Sequence, residues 1–299
     1  MASMGFSKKI FRKKINEGYL LLLPTFILYT AVIMYPLINM IYTSFFEWNG
    51  IPSKPYVFIG LGNYINFFND YMTITALKNI CILMITGVFG IVPISLFLAC
   101  VINKKFFGLR FVKSSFFLPV IINKVAIGLL FTFIFYPKVG PFAAVLKFLN
   151  LNGDINLLGS MIYAMWTTAF VMVWCNTGLY MILYSSAMAS LSDDIYESAT
   201  IDGASSMQKF FYITLPLLKG TISISIVLIL TNALKVFDLI VALTGGGPGS
   251  STEVLTTILY KNAFYFGRFA YADAIGVITV VCSLIITVLI NKILYTNEN

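Results

Sequence analysis

The chain has 299 residues, of which 59% are hydrophobic and 11% charged, and its formal net charge is +8. Soluble domains carry about 25% charged residues, so this composition predicts an integral membrane protein with little room for a separate soluble domain. The sequence has no histidine, which excludes histidine bases, histidine nucleophile partners and histidine metal ligands.

Six apolar runs are long enough to cross a membrane as helices, since a span needs about 20 mostly apolar residues. Their continuous length excludes the shorter, alternating strands of a β-barrel. We therefore predict an all-α integral membrane protein that forms a single transmembrane domain over residues 1–299. The predicted spans cover about 18–45, 80–102, 114–136, 158–188, 221–243 and 270–294.

The first run follows a basic segment, as in a signal peptide. Its apolar stretch is longer than the apolar region of a signal peptide, however, and no A-x-A cleavage site follows. We expect it to remain as a membrane anchor. Four prolines, Pro24, Pro36, Pro93 and Pro119, lie within or beside the runs. Membrane helices tolerate such prolines because neighbouring helices can satisfy the freed carbonyl groups.

The lysines and arginines are divided unequally between the two sides of the predicted membrane. Twelve lie in the N-terminal segment, the 103–113 loop, the 189–220 segment and the C-terminus, and six lie in the loops between them. Cationic loops stay on the cytoplasmic side, so both termini and the 189–220 segment are predicted to face the cytoplasm. This distribution accounts for the positive charge without a nucleic-acid partner.

The segment 189–220, called the polar connector below, separates the fourth and fifth runs. Asp194 and Glu197 fit a capping box that would start a short helix. Gly203 would end that helix, since glycine adopts positive φ without strain, and Ser205 or Ser206 would cap a second one. Periodicity alone is equally consistent with an amphipathic helix that rests on lipid.

Residues 197–216, ESATIDGASSMQKFFYITLP, resemble the EAA motif of the inner-membrane subunits of bacterial ABC importers. Ser198 stands where that family more often has alanine. The segments 21–50, 58–68 and 235–255 resemble the carbohydrate-type permeases typified by the maltose and multiple-sugar systems, and glycerol-phosphate permeases are very similar. The matching motif positions are Glu197, Ala199, Asp202, Gly203, Ala204, Phe210, Ile213, Leu215 and Pro216.

The resemblance implies a permease subunit in the bacterial cytoplasmic membrane that imports sugars or oligosaccharides by alternating access and is not itself an enzyme. The motif would couple it to two cytoplasmic ATPase subunits, which bind the ATP and magnesium, so the chain needs no cofactor of its own. The sequence agrees in lacking a GxxxxGK[ST] phosphate loop.

The same resemblance implies three further contacts. A second, usually different permease would complete a heterodimer. Membrane lipid would surround the spans. An extracytoplasmic solute-binding protein would meet the outer loops, which contain Asp70, Asp154 and Glu253.

Polar side chains in the spans are candidates to line a solute path, since charged groups at membrane depth usually face a cavity. Lys235 and Asp238 are three residues apart and could pair, so a structural ion pair explains them equally well. On the fourth run, an aromatic ring and an amide suit a sugar, but they also suit an aromatic belt with a packing amide. The candidates are Trp174, Asn176, Tyr180, Asn232, Lys235, Phe237 and Asp238.

Three other functions are alternatives to a sugar permease. A glycerol-phosphate or other polyol-phosphate permease would be favoured if Lys124 or Lys235 faced the cavity, whereas a snorkelling side chain is the alternative explanation for Lys124. An ion-coupled transporter could use Asp238 and Lys235 as a proton relay, but the polar connector would then have no role. An intramembrane enzyme is disfavoured because histidine, a metal-ligand cluster and a GxSxG motif are all absent from the sequence.

Overall fold

The computed structural model describes residues 22–104, 107–151 and 153–295. The first half of this chain contains helices α1 (Leu22–Thr43), α2 (Gly62–Asn69), α3 (Tyr71–Ile102), α4 (Leu109–Ile121), α5 (Lys124–Ile134) and α6 (Pro141–Phe148). The second half contains α7 (Ala164–Ala189), α8 (Asp193–Ile201), α9 (Ser206–Leu217), α10 (Lys219–Lys235), α11 (Asp238–Leu243), α12 (Leu255–Tyr260) and α13 (Phe269–Tyr295). Strands β1 (Phe46–Glu47) and β2 (Val57–Phe58) form one short antiparallel pair in the loop after α1.

Four helices, α1, α3, α7 and α13, are each long and apolar enough to cross a membrane. Two bent pairs also pass this test together: α4 and α5 meet at 105°, and α9 and α10 meet at 68°. The described chain thus has four candidate spans, or up to six if each bent pair is one span. The prediction of an all-α membrane protein is confirmed.

The structure corrects the predicted spans at 114–136 and 221–243, which are interrupted rather than continuous. The first is broken at Ile122, whose ψ of 138° is extended. The second is broken at Val236, with ψ 126°, and at Phe237, with φ −136°. Asn123 and Lys124 directly follow the first break, and Lys235 and Asp238 flank the second. The average hydropathy of each run conceals these polar residues, which are the sequence signal of an interruption.

Two other helices start at positions that differ from the predicted spans. α3 begins at Tyr71 rather than near residue 80, because Asp70 caps it by accepting a hydrogen bond from the Met72 backbone N–H at 2.9 Å. α7 begins at Ala164 rather than near residue 158. A cap of the Asp70 type is visible in sequence, but a search for apolar runs overlooks it.

Three prolines follow directly after wide helical turns. Five-residue π-helical segments at Thr30–Met34, Gly87–Ile91 and Phe210–Thr214 each end two positions before a proline, namely Pro36, Pro93 and Pro216. A proline ring cannot donate to the carbonyl four residues earlier and collides with it. A widened turn removes that collision while the helix continues.

The bundle is built around α7, which is packed against α3 and α4. Gly178 makes the α4 contact possible, since a Cβ at this position would lie 1.9 Å from the carbonyl oxygen of Phe116. On the α3 side, the Ser95 hydroxyl donates to the carbonyl oxygen of Thr177 at 2.9 Å. These contacts bring the backbones of three helices together at the centre of the chain.

In contrast, the most apolar stretch of α1 is not buried within this chain. Its C-terminal end contacts α13 through a hydrogen bond in which the Thr43 hydroxyl donates to Asp273 Oδ2 at 2.5 Å. The rest of its apolar surface is left for lipid or another subunit.

Replacing Gly178 with alanine is expected to force α4 and α7 apart and to lower the thermal unfolding midpoint of the purified protein in detergent. Gly220→Ala is the matched control, because a Cβ there meets nothing within 4 Å and alanine favours a helix by up to about 1 kcal/mol over glycine. We expect Gly220→Ala to leave the midpoint unchanged or raised. Equal midpoints for Gly178→Ala and the wild type would contradict the close approach of α4 and α7.

Candidate functional site

A polar cavity of about 300 Å³ lies where the two interrupted helices break. Its walls come from the C-terminal end of α10, the N-terminal ends of α5 and α11, and the middle of α7. The polar side chains that line it are Lys124, Asn176, Tyr180, Asn232, Lys235 and Asp238. Each break leaves helix-terminal backbone groups without intrahelical partners, and at membrane depth irregular backbone is tolerated where it lines a cavity or is buried in protein.

Helices α5 and α11 lie side by side beyond the cavity. Gly128 allows their close approach, since a Cβ there would lie 2.4 Å from the Cβ of Ala242. The Thr132 hydroxyl also donates to the carbonyl oxygen of Ala242 at 3.4 Å. The Asn123 side chain caps α5 by accepting from the Val125 N–H at 2.8 Å. The helix starts at the cavity are therefore held by specific contacts.

Six of the seven predicted path residues line this cavity, and the seventh does not. Trp174 is absent from the lining; the residue is 41% exposed, and its ring meets the ring of Phe131 edge-on with the centroids 5.1 Å apart. Asn176 and Tyr180 are four residues apart and share a face of α7, whereas Trp174 precedes Asn176 by only two residues. Residues two apart do not share a helix face, so the spacing itself could have excluded Trp174.

The ion pair between Lys235 and Asp238, which was the alternative explanation for these two residues, is not formed in the described chain. Both residues line the cavity, but α10 ends at Lys235 and α11 begins at Asp238, so they do not belong to one helix face. Within the described chain, neither side chain lies within 4.0 Å of an opposite charge. A charged side chain at membrane depth costs roughly 2.5–3.5 kcal/mol, so these groups need compensation from another source.

The amides and the phenol of the cavity provide hydrogen-bonding groups. The Asn176 amide donates to the Met172 carbonyl at 2.7 Å, and the Tyr180 phenol and the Asn232 amide line the same cavity. Tyr180 is only 2% exposed, whereas Asn232, Lys235 and Asp238 are exposed in the isolated chain. The cavity thus has a closed wall on α7 and an open side at the helix breaks.

The polar connector folds as two short helices with a turn, but the first cap differs from the prediction. Ser192, rather than Asp194, caps α8 by accepting from the Asp194 N–H at 3.3 Å, so the expected Asp194–Glu197 capping box was wrong. The other predicted features are confirmed: Gly203 has φ +77°, and Ser205 forms a capping box with Gln208.

Contacts between α8 and α9 hold the connector in shape. The Tyr196 hydroxyl lies 2.9 Å from the Thr214 hydroxyl, and the Lys209 ammonium donates to the Thr200 hydroxyl at 2.5 Å. Glu197, Asp202, Gly203 and Pro216 of the motif are exposed, and the other five motif positions are partly buried. Large apolar side chains are uncovered beside them, namely those of Ile201, Met207, Phe211 and Tyr212.

A buried carboxylate stabilises the glycine-rich loop that follows α11, residues 245–251. Glu253 is 3% exposed, forms an ion pair with Lys261, and accepts from the Thr257 hydroxyl at 2.5 Å. Lys261 also donates to the carbonyl oxygen of Gly245 at 2.9 Å. A partner-facing role was expected for Glu253 with the other outer-loop acids, but its carboxylate is used inside the fold.

Comparison with known proteins gives a consistent result. Residues 91–296 match the family model described as "Binding-protein-dependent transport system inner membrane component". The chain is 34% identical to a probable ABC transporter permease protein of Bacillus subtilis (strain 168), over 94% of this chain and 96% of that protein. It is 31% identical to a multiple sugar-binding transport system permease protein of Streptococcus mutans, over 93% and 96% of the two chains.

A solved structure resembles the whole fold. It is a chain of a bacterial ABC transporter involved in the import of the acidic polysaccharide alginate. The TM-score is 0.84 with 26% sequence identity, and the match covers 98% of this chain and 99% of that one.

Proposed function

Because the chain belongs to the family of binding-protein-dependent transport system inner membrane components, we propose that it forms one half of a path for a sugar or oligosaccharide. The observation that carries this proposal is the meeting of two helix breaks at one polar cavity. Discontinuous membrane helices of this kind build substrate sites near the middle of other transporters. The relatives are named as permease proteins, so the expectation of a transport subunit rather than an enzyme is confirmed.

The cavity chemistry supports a hydroxyl-rich cargo. Asn176 and Asn232 offer amide groups that can donate to and accept from hydroxyl groups, and Tyr180 adds an aromatic ring with a polar end. Small-molecule sites typically combine apolar walls with a few placed polar groups, and Met172, Ile229 and Leu239 supply the apolar part. A sugar path is therefore the function that these side chains support best.

The polar connector is the proposed coupling element. Its exposed motif residues would enter a cleft of a cytoplasmic ATPase subunit, and α9 leads through the buried Leu218 into α10. α10 has 17 residues, which span roughly 25 Å at about 1.5 Å per residue, and it ends at the cavity. Movement of the connector would then shift Asn232 and Lys235 directly and could alternate access to the path.

The complete transporter would contain further subunits. The open side of the cavity and the uncovered α1 both fit a second permease, so a heterodimer is proposed. Two ATPase subunits would bind ATP and magnesium, and an extracytoplasmic binding protein would deliver the cargo. Both termini would face the cytoplasm, as the charge distribution indicates.

A phosphorylated polyol is the second candidate cargo. The observation that favours it is that both Lys124 and Lys235 line the cavity. An ion-coupled transporter gains no such support, because the Lys235–Asp238 pair on which a proton relay would depend is not formed.

A bulky β-branched residue at Gly203 should break the coupling. Gly203→Val is expected to abolish co-purification with the ATPase and ATP-dependent uptake, since a β-branched residue at φ +77° is a backbone outlier. A Cβ there meets nothing within 4 Å, so the effect would come from backbone strain alone. Gly203→Asn is the control, because asparagine tolerates this conformation, and it should retain most uptake. Normal uptake by Gly203→Val would contradict the coupling role.

Removal of a cavity amide should weaken transport without affecting assembly. Asn176→Ala and Asn232→Ala are each expected to raise the KM for uptake by roughly two- to tenfold, which corresponds to one lost hydrogen bond. Asn69→Ala removes an exposed amide outside the cavity and should leave KM unchanged. Unaltered uptake kinetics in both cavity variants would rule out the proposed path.

A further inference from the structure

We propose that the cargo carries an anionic group, a carboxylate, sulfonate or phosphate, that is held at Lys124 and Lys235. The proposal rests on the transport function above and adds the charge class of the cargo. Three features support it: the positions of the two lysines, the scarcity of acidic groups near them, and the neutral polar side chains that line the same cavity.

The two lysines reach the cavity from different helices. Lys124 is the first residue of α5, directly after one break, and Lys235 is the last residue of α10, directly before the other. Both line the cavity of about 300 Å³. A negatively charged ligand in this cavity would be attracted by both cations.

The positive charges of the two lysines are only partly compensated by acidic groups within the described chain. Asp238 is the one carboxylate among the described lining residues, and neither lysine lies within 4.0 Å of a described acidic group. The lining therefore keeps a formal excess of one positive charge. Lys235 stands at the C-terminal end of its helix and Asp238 at the N-terminal end of its own, positions in which the helix dipole favours each charge.

The helix dipole acts unfavourably on Lys124, in contrast to Lys235 and Asp238. Lys124 stands at the N-terminal end of α5, an 11-residue helix, where the helix dipole disfavours a cation. The residue is also partly buried. The helix start and Lys124 together form a positively charged wall, and an anionic ligand is the partner that would stabilise it.

The neutral lining groups indicate what the rest of the ligand contains. Asn176, Tyr180 and Asn232 lie in the same cavity and suit hydroxyl groups. A uronate, a sulfonated sugar or a phosphorylated polyol combines hydroxyls with one anionic group. All three satisfy the same site, and uptake measurements can distinguish them.

The first experiment deletes the gene in its native organism and measures the uptake of matched radiolabelled pairs. The pairs are digalacturonate with galactobiose, sulfoquinovosyl glycerol with glucosylglycerol, and glycerol 3-phosphate with glycerol. We expect the deletion to abolish uptake of an acidic member, and the pair affected identifies the anionic group. Loss confined to neutral members would overturn the charge proposal but leave the sugar path intact. Unchanged uptake of every pair would overturn the charge proposal for these three anionic groups, and the transport function is then tested separately by the uptake kinetics of the Asn176 and Asn232 variants.

The second experiment complements the deletion with lysine variants of the full chain. Lys124→Met is expected to raise the KM for the acidic cargo by about tenfold and to reduce the preference for the acidic over the neutral member of the pair. Lys124→Arg keeps the cation and should restore that preference. Lys78→Met, at an exposed position outside the cavity, is the control and should change neither value. An unchanged acidic-to-neutral preference in Lys124→Met would overturn the proposal, even if total uptake fell.

Discussion

The structure depends on the rule that backbone N–H and C=O groups at membrane depth must find partners or line a polar cavity. Two helices are interrupted, at Ile122 and at Val236, and both interruptions open on the same cavity. Asn123 satisfies one new helix start with its own side chain. The close contact between Gly128 and Ala242 holds the two following helices together. The irregular backbone and the charged side chains of the interrupted helices thus share one location.

That arrangement also relates the cavity to the polar connector. α10 begins next to the connector, ends at the cavity and has no break between these points, so a displacement at one end would be transmitted to the other. The bend of 68° at Leu218 turns the exposed connector away from the axis of α10. An exposed surface and a polar cavity at the two ends of one helix suit a protein in which an external partner would control access to the cavity.

Local chemistry was predictable where a few neighbouring residues decide the outcome. Gly203 and Ser205 form the turn and the cap that their types indicate. The prediction failed at Asp194 because Ser192, two residues earlier, offers an equally good cap and the sequence does not rank them. The helix breaks at Ile122 and Val236 were not predicted, because the polar residues beside them are few and the average hydropathy of each run stays high. At Val236 the backbone carbonyl accepts from the hydroxyl of the distant Thr256 at 2.5 Å, which no local pattern records. At Ile122 the compensation is local, because the next residue, Asn123, caps the following helix.

The sequence by itself determined the class of protein, the approximate positions of the membrane helices and the motif of the connector. These follow from composition, from periodicity and from residues that are close along the chain. Only the tertiary structure decided that Lys124 joins Lys235 in one cavity and that Trp174 lies outside it. It also decided that Glu253 is buried against Lys261 rather than presented to a partner. The physical reason is that charge compensation and cavity lining depend on how the helices and loops pack together, and that packing brings residues as distant in sequence as Lys124 and Lys235 to one cavity.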